Sequence, residues 1–309
     1  MWISIAEVLA TALAVFFGLL LVGGRLDLAI LLAGIAPATA PAAVTDVVHE
    51  LKARGPFTGI LLGVVAIDDA WGLVLFSLLI SVVRFLNGGM GGLYLLFSGF
   101  RELGGAILVG ILLGIPMAYL TGRVRRGEPT LLEALGMVFL CSGIALKLDV
   151  SFILASMAMG GTVVNLARHH HRPFSAIEEI ELPFMILFFV LAGASLEPRT
   201  LLSVGAAGAA YVFFRILGRL LGAWLGGKAC QADPLTRRWI GVALLPQAGV
   251  ALGMALVAAQ HFPDLADTIL PVVLGATVFF EVVGPVMTRL AIIRAGKTAV
   301  PPRRAPASP

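Results

Sequence analysis

Two adjacent aspartates, Asp68 and Asp69, stand near the middle of GPFTGILLGVVAIDDAWGLVLFSLLISVV, an apolar run long enough to span a bilayer as a helix. Burying one carboxylate at that depth costs at least about 2.5–3.5 kcal/mol on insertion scales, so two in a row demand compensation or a function. Adjacent residues on a helix point about 100° apart, which lets one acid face an aqueous path while the other faces a partner inside the bundle. Burial and like charge favour a neutral acid, and a nearby cation favours an ionised one, so the two can be held in different protonation states. An acid that takes either a proton or a monovalent cation, never both, couples the two by competition when access to it alternates. The bland alternative is a structural polar network.

Other polar side chains in apolar surroundings bear on the pair. Arg215 lies mid-span in AAYVFFRILGRLLGAW and needs a carboxylate, which makes it the expected partner of Asp68. Arg219 follows four residues later on the same face, nearer a helix end where a long side chain can snorkel. Glu281, in FFEVVGPVM, is a further acid in an apolar span, read as a structural neutraliser of either arginine. Thr39, Thr45, Asp46 and Gln247 add oxygens suited to a hard monovalent cation. Helix capping is an equal reading for Thr39 and Asp46. The run Arg168-His169-His170-His171-Arg172 reads as a solvated loop with scope for pH sensing, and Cys141 and Cys230 as packing residues without metal-ligand spacing.

The elements that must position these groups are membrane helices. Of 309 residues 59% are hydrophobic and 13% charged, with a mean hydropathy of +0.99, which excludes a water-soluble domain of this size. Apolar runs predict ten spans, near 3–22, 26–53, 57–86, 100–122, 130–147, 151–167, 175–195, 200–227, 236–260 and 266–293. The first has no basic leader and is expected to stay as a helix. With ten spans, fifteen of the 22 Lys and Arg fall on the side that carries both termini, against Arg25, Arg84, Arg101, Lys147 and Arg199 on the other. That asymmetry places both termini in the cytoplasm of a cell with an inner membrane. The net charge of +4 therefore reports orientation, with no nucleic acid implied. The tail PPRRAPASP reads as a disordered basic end.

Two spans carry helix-breaking sequences at corresponding places in the two halves. In LLAGIAPATAPAAVTDVV, Pro37 and Pro41 bracket Ala38-Thr39-Ala40; in GVALLPQAGVALGMAL, Pro246, Gln247 and Gly249 stand at mid-span. Proline removes an amide donor and clashes with the preceding turn, so both helices are expected to unwind near the bilayer centre. Unwound backbone at that depth is tolerated around a cavity or ion site. Paired interrupted helices in halves of opposite topology point to a secondary transporter whose site lies where the breaks cross. Two ordinary kinks are the alternative.

Taken together, ATAPAAVTDVVHELKARG and GVVAIDDAWGLVLFSLL resemble the Kef-type sodium/proton exchanger domain, the cation:proton antiporter-2 family. FFVLAGASLE, FRILGRLLGAWLGG, WIGVALLPQAGVALGMALVA and FFEVVGPVMTRLAI resemble that family's last four helices, in order. The resemblance implies an all-α polytopic membrane protein of about ten transmembrane helices, an inverted-repeat antiporter fold with two crossed broken helices. It implies a transport core formed by 1–87 and 199–297, a linker helix in 88–127, panel and dimerisation helices in 128–198, and a basic tail at 298–309. Asp69 maps to the principal site for Na+ or K+ and for the proton, and Asp68 to the acid paired with Arg215. No cofactor and no catalytic residue is implied; the partners are the bilayer and a second copy of the chain. Where many electrogenic members carry lysine this chain has Arg215, which hardly ever deprotonates and is not expected to be a second proton carrier. Typical members begin with three further helices, so a competing expectation is a non-transporting fragment or subunit that needs a separate chain to supply them. An intramembrane aspartyl protease would need acids on two helices, and a bile-acid-type symporter does not account for the two aspartates with an arginine.

Overall fold

In a computed structural model of the chain, the described residues are 1–88, 92–121, 130–167, 174–180, 205–295 and positions 183, 184, 186, 187 and 190. The seventh expected span, 175–195, lies partly outside them, and the run from Arg168 to Arg172 and the tail from 298 lie wholly outside. The named helices are α1 (Trp2–Leu21), α2 (Leu26–Ile35), α3 (Pro41–Glu50), α4 (Pro56–Gly88), α5 (Gly92–Thr121), α6 (Thr130–Lys147) and α7 (Phe152–Leu166). They continue with α8 (Gly205–Ala229), α9 (Pro234–Ala243), α10 (Gly249–His261) and α11 (Pro263–Arg294). Five of these contain stretches long and apolar enough to cross a membrane: α1, α4, α5, α8 and α11. Leu9, Leu13 and Phe17 stand exposed along α1, where lipid is the solvent that accepts them.

Both expected interruptions are present. The second span divides into α2 and α3 around Ala36–Ala40, and the ninth into α9 and α10 around Leu244–Ala248. Pro41 is the first residue of α3, where a missing amide costs nothing because that N–H would be unpaired in any case. Proline by itself does not break a helix here: Pro116 lies inside α5, and Pro271 and Pro285 inside α11, without interrupting them.

The chain forms two compact units. One contains residues 1–72 and 203–309, hence α1 to α3, the first half of α4, and α8 to α11; the other contains 73–202. In the first unit α1 lies along α8 at backbone contact, because glycines recur every fourth residue on the facing side of α8. A Cβ at Gly218 would fall 2.5 Å from Thr11 Cα, at Gly222 2.6 Å from Glu7 Cα, and at Gly226 2.6 Å from Ile3 Cα. Small residues at this spacing let membrane helices approach closely. Gly222→Ala is therefore expected to cost about 1–3 kcal/mol through forced separation of the helices. The check is thermal unfolding in detergent against Gly59→Ala, whose added Cβ meets nothing within 4 Å. In the second unit α5 packs on α7 by the same device, with a Cβ at Gly110 blocked at 2.3 Å by Ala155 O. There Ser81 Oγ donates to Glu102 Oε2 at 3.2 Å, joining α4 to α5.

Candidate functional site

The two breaks cross within the first unit, and one backbone hydrogen bond ties them: Ala40 N–H donates to Pro246 O at 3.1 Å. Unwinding leaves carbonyls at the ends of α2 and α9 without intrahelical partners, each end carrying partial negative charge. Arg215 meets both. Its Nε donates to Ala36 O at 2.9 Å, its Nη2 to Ala38 O at 2.8 Å, and its Nη1 to Leu245 O at 2.9 Å. The guanidinium also stacks over the Phe280 ring, 4.1 Å from the centroid. Thr288 Oγ1 completes the end of α9 by donating to Ala243 O at 2.9 Å.

The expected pairing of Arg215 with Asp68 is therefore corrected. All three nitrogens of Arg215 are spent on carbonyls, and the cation beside Asp68 is Arg219, whose Nη1 lies 3.8 Å from Asp68 Oδ2. Arg219 does not snorkel: it is fully buried, and its Nη2 donates to the carbonyls of Pro37 and Ala38. The reason is the close α1–α8 contact, which brings an acid from α1 into reach. Glu7 Oε1 lies 3.0 Å from Arg219 Nη1, with both side chains fully buried. The neutralising acid expected from Glu281 is thus supplied by Glu7, while Glu281 sits half-buried on α11.

Glu7 and its neighbours were missed in the sequence. Ser4, Glu7 and Thr11 fall at helical spacing on one face of an otherwise apolar span, and that stripe was the available signal. Ser4 Oγ donates to Asp68 Oδ1, and Thr11 Oγ1 donates to Glu7 Oε1 at 3.1 Å.

Asp69 takes a different environment from Asp68, as two adjacent helical positions should. Asp68 is fully buried among α1 and α8, whereas Asp69 is half-buried and turns to the first break. Its Oδ1 accepts from both the amide and the hydroxyl of Thr39, each at 3.1 Å. This carboxylate stands beside the start of α3, the positive end of a half-helix, where an anion is favoured. Thr39 therefore belongs to the acid site and does not cap α3, whose cap position is Ala40 with no side-chain bond. Thr39→Val should keep the fold and the amide contact but weaken cation affinity about tenfold or more, since a hydrogen bond to a charged group is worth about 1.5–3 kcal/mol. Calorimetric cation binding checks it.

Two further expectations are corrected. Asp46 is exposed in the middle of α3, too far from its first turn to cap it or face the break. Thr45 Oγ1 bonds back to Pro41 O at 3.0 Å and Ala42 O at 2.9 Å, within its own helix. Gln247 does lie in the second break, fully buried, with its Nε2 donating to the Tyr211 hydroxyl at 3.0 Å. Gly249 begins α10, and a Cβ at Gly284 on α11 would fall 2.7 Å from Pro246 Cα, which fixes how tightly the break is held.

Crossed helix breaks that lodge buried acids against arginines are the arrangement found in secondary transporters built from inverted repeats. The chain belongs to the sodium/hydrogen exchanger, transmembrane family, which it matches over residues 1–293. It is similar to the high-affinity Na(+)/H(+) antiporter NhaS3 of Synechocystis sp., with 26% identity over 253 residues, 78% of this chain and 54% of that protein. The chain thus spans about half the length of that curated relative. Among solved structures it is similar to the sodium proton antiporter MjNhaP1 of Methanocaldococcus jannaschii, at 18% identity and a TM-score of 0.76. That match covers 96% of this chain and 78% of the other, and shows the shared fold.

Proposed function

We propose that the chain is a secondary active antiporter that exchanges Na+ or K+ for protons by alternating access, with cation and proton competing at Asp69. The observation that carries this reading is the division of labour in the acid pair. Asp68 is buried beside Arg219 and Glu7, while half-buried Asp69 is held by Thr39 at the helix break. A half-buried carboxylate with hydroxyl oxygen at hand offers a hard cation oxygen ligands, and protonation removes the charge that attracts it. Membership of the sodium/hydrogen exchanger family supports the reaction class. Within that family the sequence motifs favour the Kef-type, cation:proton antiporter-2 branch. The core comprises the helices that carry the breaks and the acid pair, and the helices of 128–198 form a panel at which two copies meet. The inner membrane, with both termini cytoplasmic, is the location the basic asymmetry supports.

Proteoliposomes holding this chain and a pH-sensitive dye test the reading. An inward sodium or potassium gradient should drive proton efflux that vanishes without the cation. Absence of flux from the chain alone, with flux on adding a second chain, would instead support the subunit reading.

A further inference from the structure

α8 presents two faces of opposite character. Gly218, Gly222 and Gly226 lie against α1, while Leu217, Leu221, Trp224, Leu225 and Lys228 form an exposed stripe at helical spacing. Lipid accepts the leucines, and the stripe ends in a cation. Lys228 Nζ lies 5.3 Å from the centroid of the Trp224 ring, one turn earlier on the same helix.

The next helix brings two more cations to this end. α9 begins at Pro234, a short turn after α8, and folds back over it. A Cβ at Gly227 would fall 2.7 Å from Arg237 Cγ, so the bare backbone at Gly227 is what seats the Arg237 stem beside Lys228. Arg238 Cζ stands 5.8 Å from the centroid of the Trp239 ring, and Trp239 packs against an apolar cluster that includes Ile3, Phe57 and Ile240. The acid of the turn, Asp233, is spent on the cap of α9: its Oδ2 accepts from the amides of Leu235 at 3.2 Å and Thr236 at 3.4 Å. Three cations thus face one acid, and with those amides occupied an anion here is held by side chains.

Tryptophan places this end at the bilayer surface. Of the four tryptophans, Trp224, Trp239 and Trp2 stand here, since a Cβ at Gly226 would fall 2.8 Å from Trp2 O. Indole rings concentrate where a bilayer meets water. Two of the cations lie over such rings and the third is seated on Gly227, so less freedom is lost when an anion binds than with unbraced side chains.

We propose that Lys228, Arg237 and Arg238 form a docking site for the phosphate headgroup of an anionic phospholipid, with an acyl chain along Leu221 and Leu225. Charge complementarity and continuity select this occupant. The cations close the lipid-facing stripe of α8, so one amphiphile meets both the stripe and the charges, whereas a soluble anion uses only the charges. A lipid held there anchors the end of the helix that carries Arg215 and Arg219 to the breaks.

Native mass spectrometry of the purified full chain, loaded in detergent with phosphatidylglycerol or phosphatidylcholine, counts the bound lipid. This readout depends neither on transport nor on which side of the membrane this end faces. Phosphatidylglycerol should be retained about tenfold better or more, since each basic side chain near an anionic surface contributes about fivefold. Lys228 and Arg238 are exposed, so their variants should fold, with thermal unfolding in lipid-free detergent unchanged. Lys228→Gln and Arg238→Gln should each lower phosphatidylglycerol retention about fivefold, and the double variant should lose most of the preference. Lys52→Gln, which removes an exposed cation on the turn between α3 and α4, should leave retention unchanged. Equal retention of the two lipids would overturn the proposal, as would a loss in Lys52→Gln as large as in Arg238→Gln, which marks diffuse attraction. Displacement of the lipid by inorganic phosphate, or by polyglutamate at equal charge, would assign the surface to a soluble anion or an acidic protein segment and overturn it too.

Discussion

Replacement of Asp69 by asparagine is expected to abolish cation-driven proton movement and leave a folded protein. The amide oxygen of asparagine can still accept from the Thr39 amide and hydroxyl, which now bond Asp69 Oδ1 at 3.1 Å each, so the first break keeps its local structure. What is lost is the chemistry: a neutral amide neither releases a proton nor supplies the charge that attracts a cation. Flux in proteoliposomes should fall to the level of empty vesicles, with thermal unfolding in detergent shifted by no more than a few degrees. Retention of full cation-dependent flux in Asp69→Asn would refute the assignment of the carrier.

The second large effect is on stability. Arg219→Gln leaves Glu7 and Asp68 without their cation and frees the carbonyl of Pro37 at the broken end of α2, while Ala38 O keeps Arg215. Breaking a buried ion pair by removing one partner typically costs about 3–5 kcal/mol, a large part of the stability of most folds. Glu7→Gln in the Arg219→Gln background removes one of the stranded acids, so the double variant should be more stable than the two single effects predict. Arg215→Gln with Asp68→Asn is the comparison, since Arg215 serves Ala36, Ala38 and Leu245. A larger coupling there than for Arg219 with Glu7 would contradict the geometry of the site.

Much of this arrangement was legible in the sequence, for reasons that differ from residue to residue. Asp68, Asp69 and the paired breaks could be read because charge and proline at bilayer depth are costly and so stand out from their surroundings. Proline alone would have misled, as Pro116, Pro271 and Pro285 show inside unbroken helices; a second proline or a Pro-Gln-x-Gly run marked the true breaks. Which arginine meets the acids could not be read. Arg215 and Arg219 share a face of α8, and the choice depends on α1 approaching to backbone contact over Gly218 and Gly222. That contact delivers Glu7, an acid near the start of the chain whose role is visible only once the two helices are placed side by side. Asp46 failed in the opposite way: its place near a break suggested a cap, but half-helix α3 begins early enough to carry it to an exposed face.

The central claim is competition at Asp69, and the most direct measurement is cation binding to the purified chain by calorimetry across a pH series. Competition requires that the apparent sodium or potassium affinity weaken as pH falls, by up to about tenfold per pH unit once Asp69 is protonated in the free protein. It also requires proton release on binding, seen as heat that varies with the ionisation enthalpy of the buffer, and no binding in Asp69→Asn. An affinity that is independent of pH, with no proton released, would contradict the account.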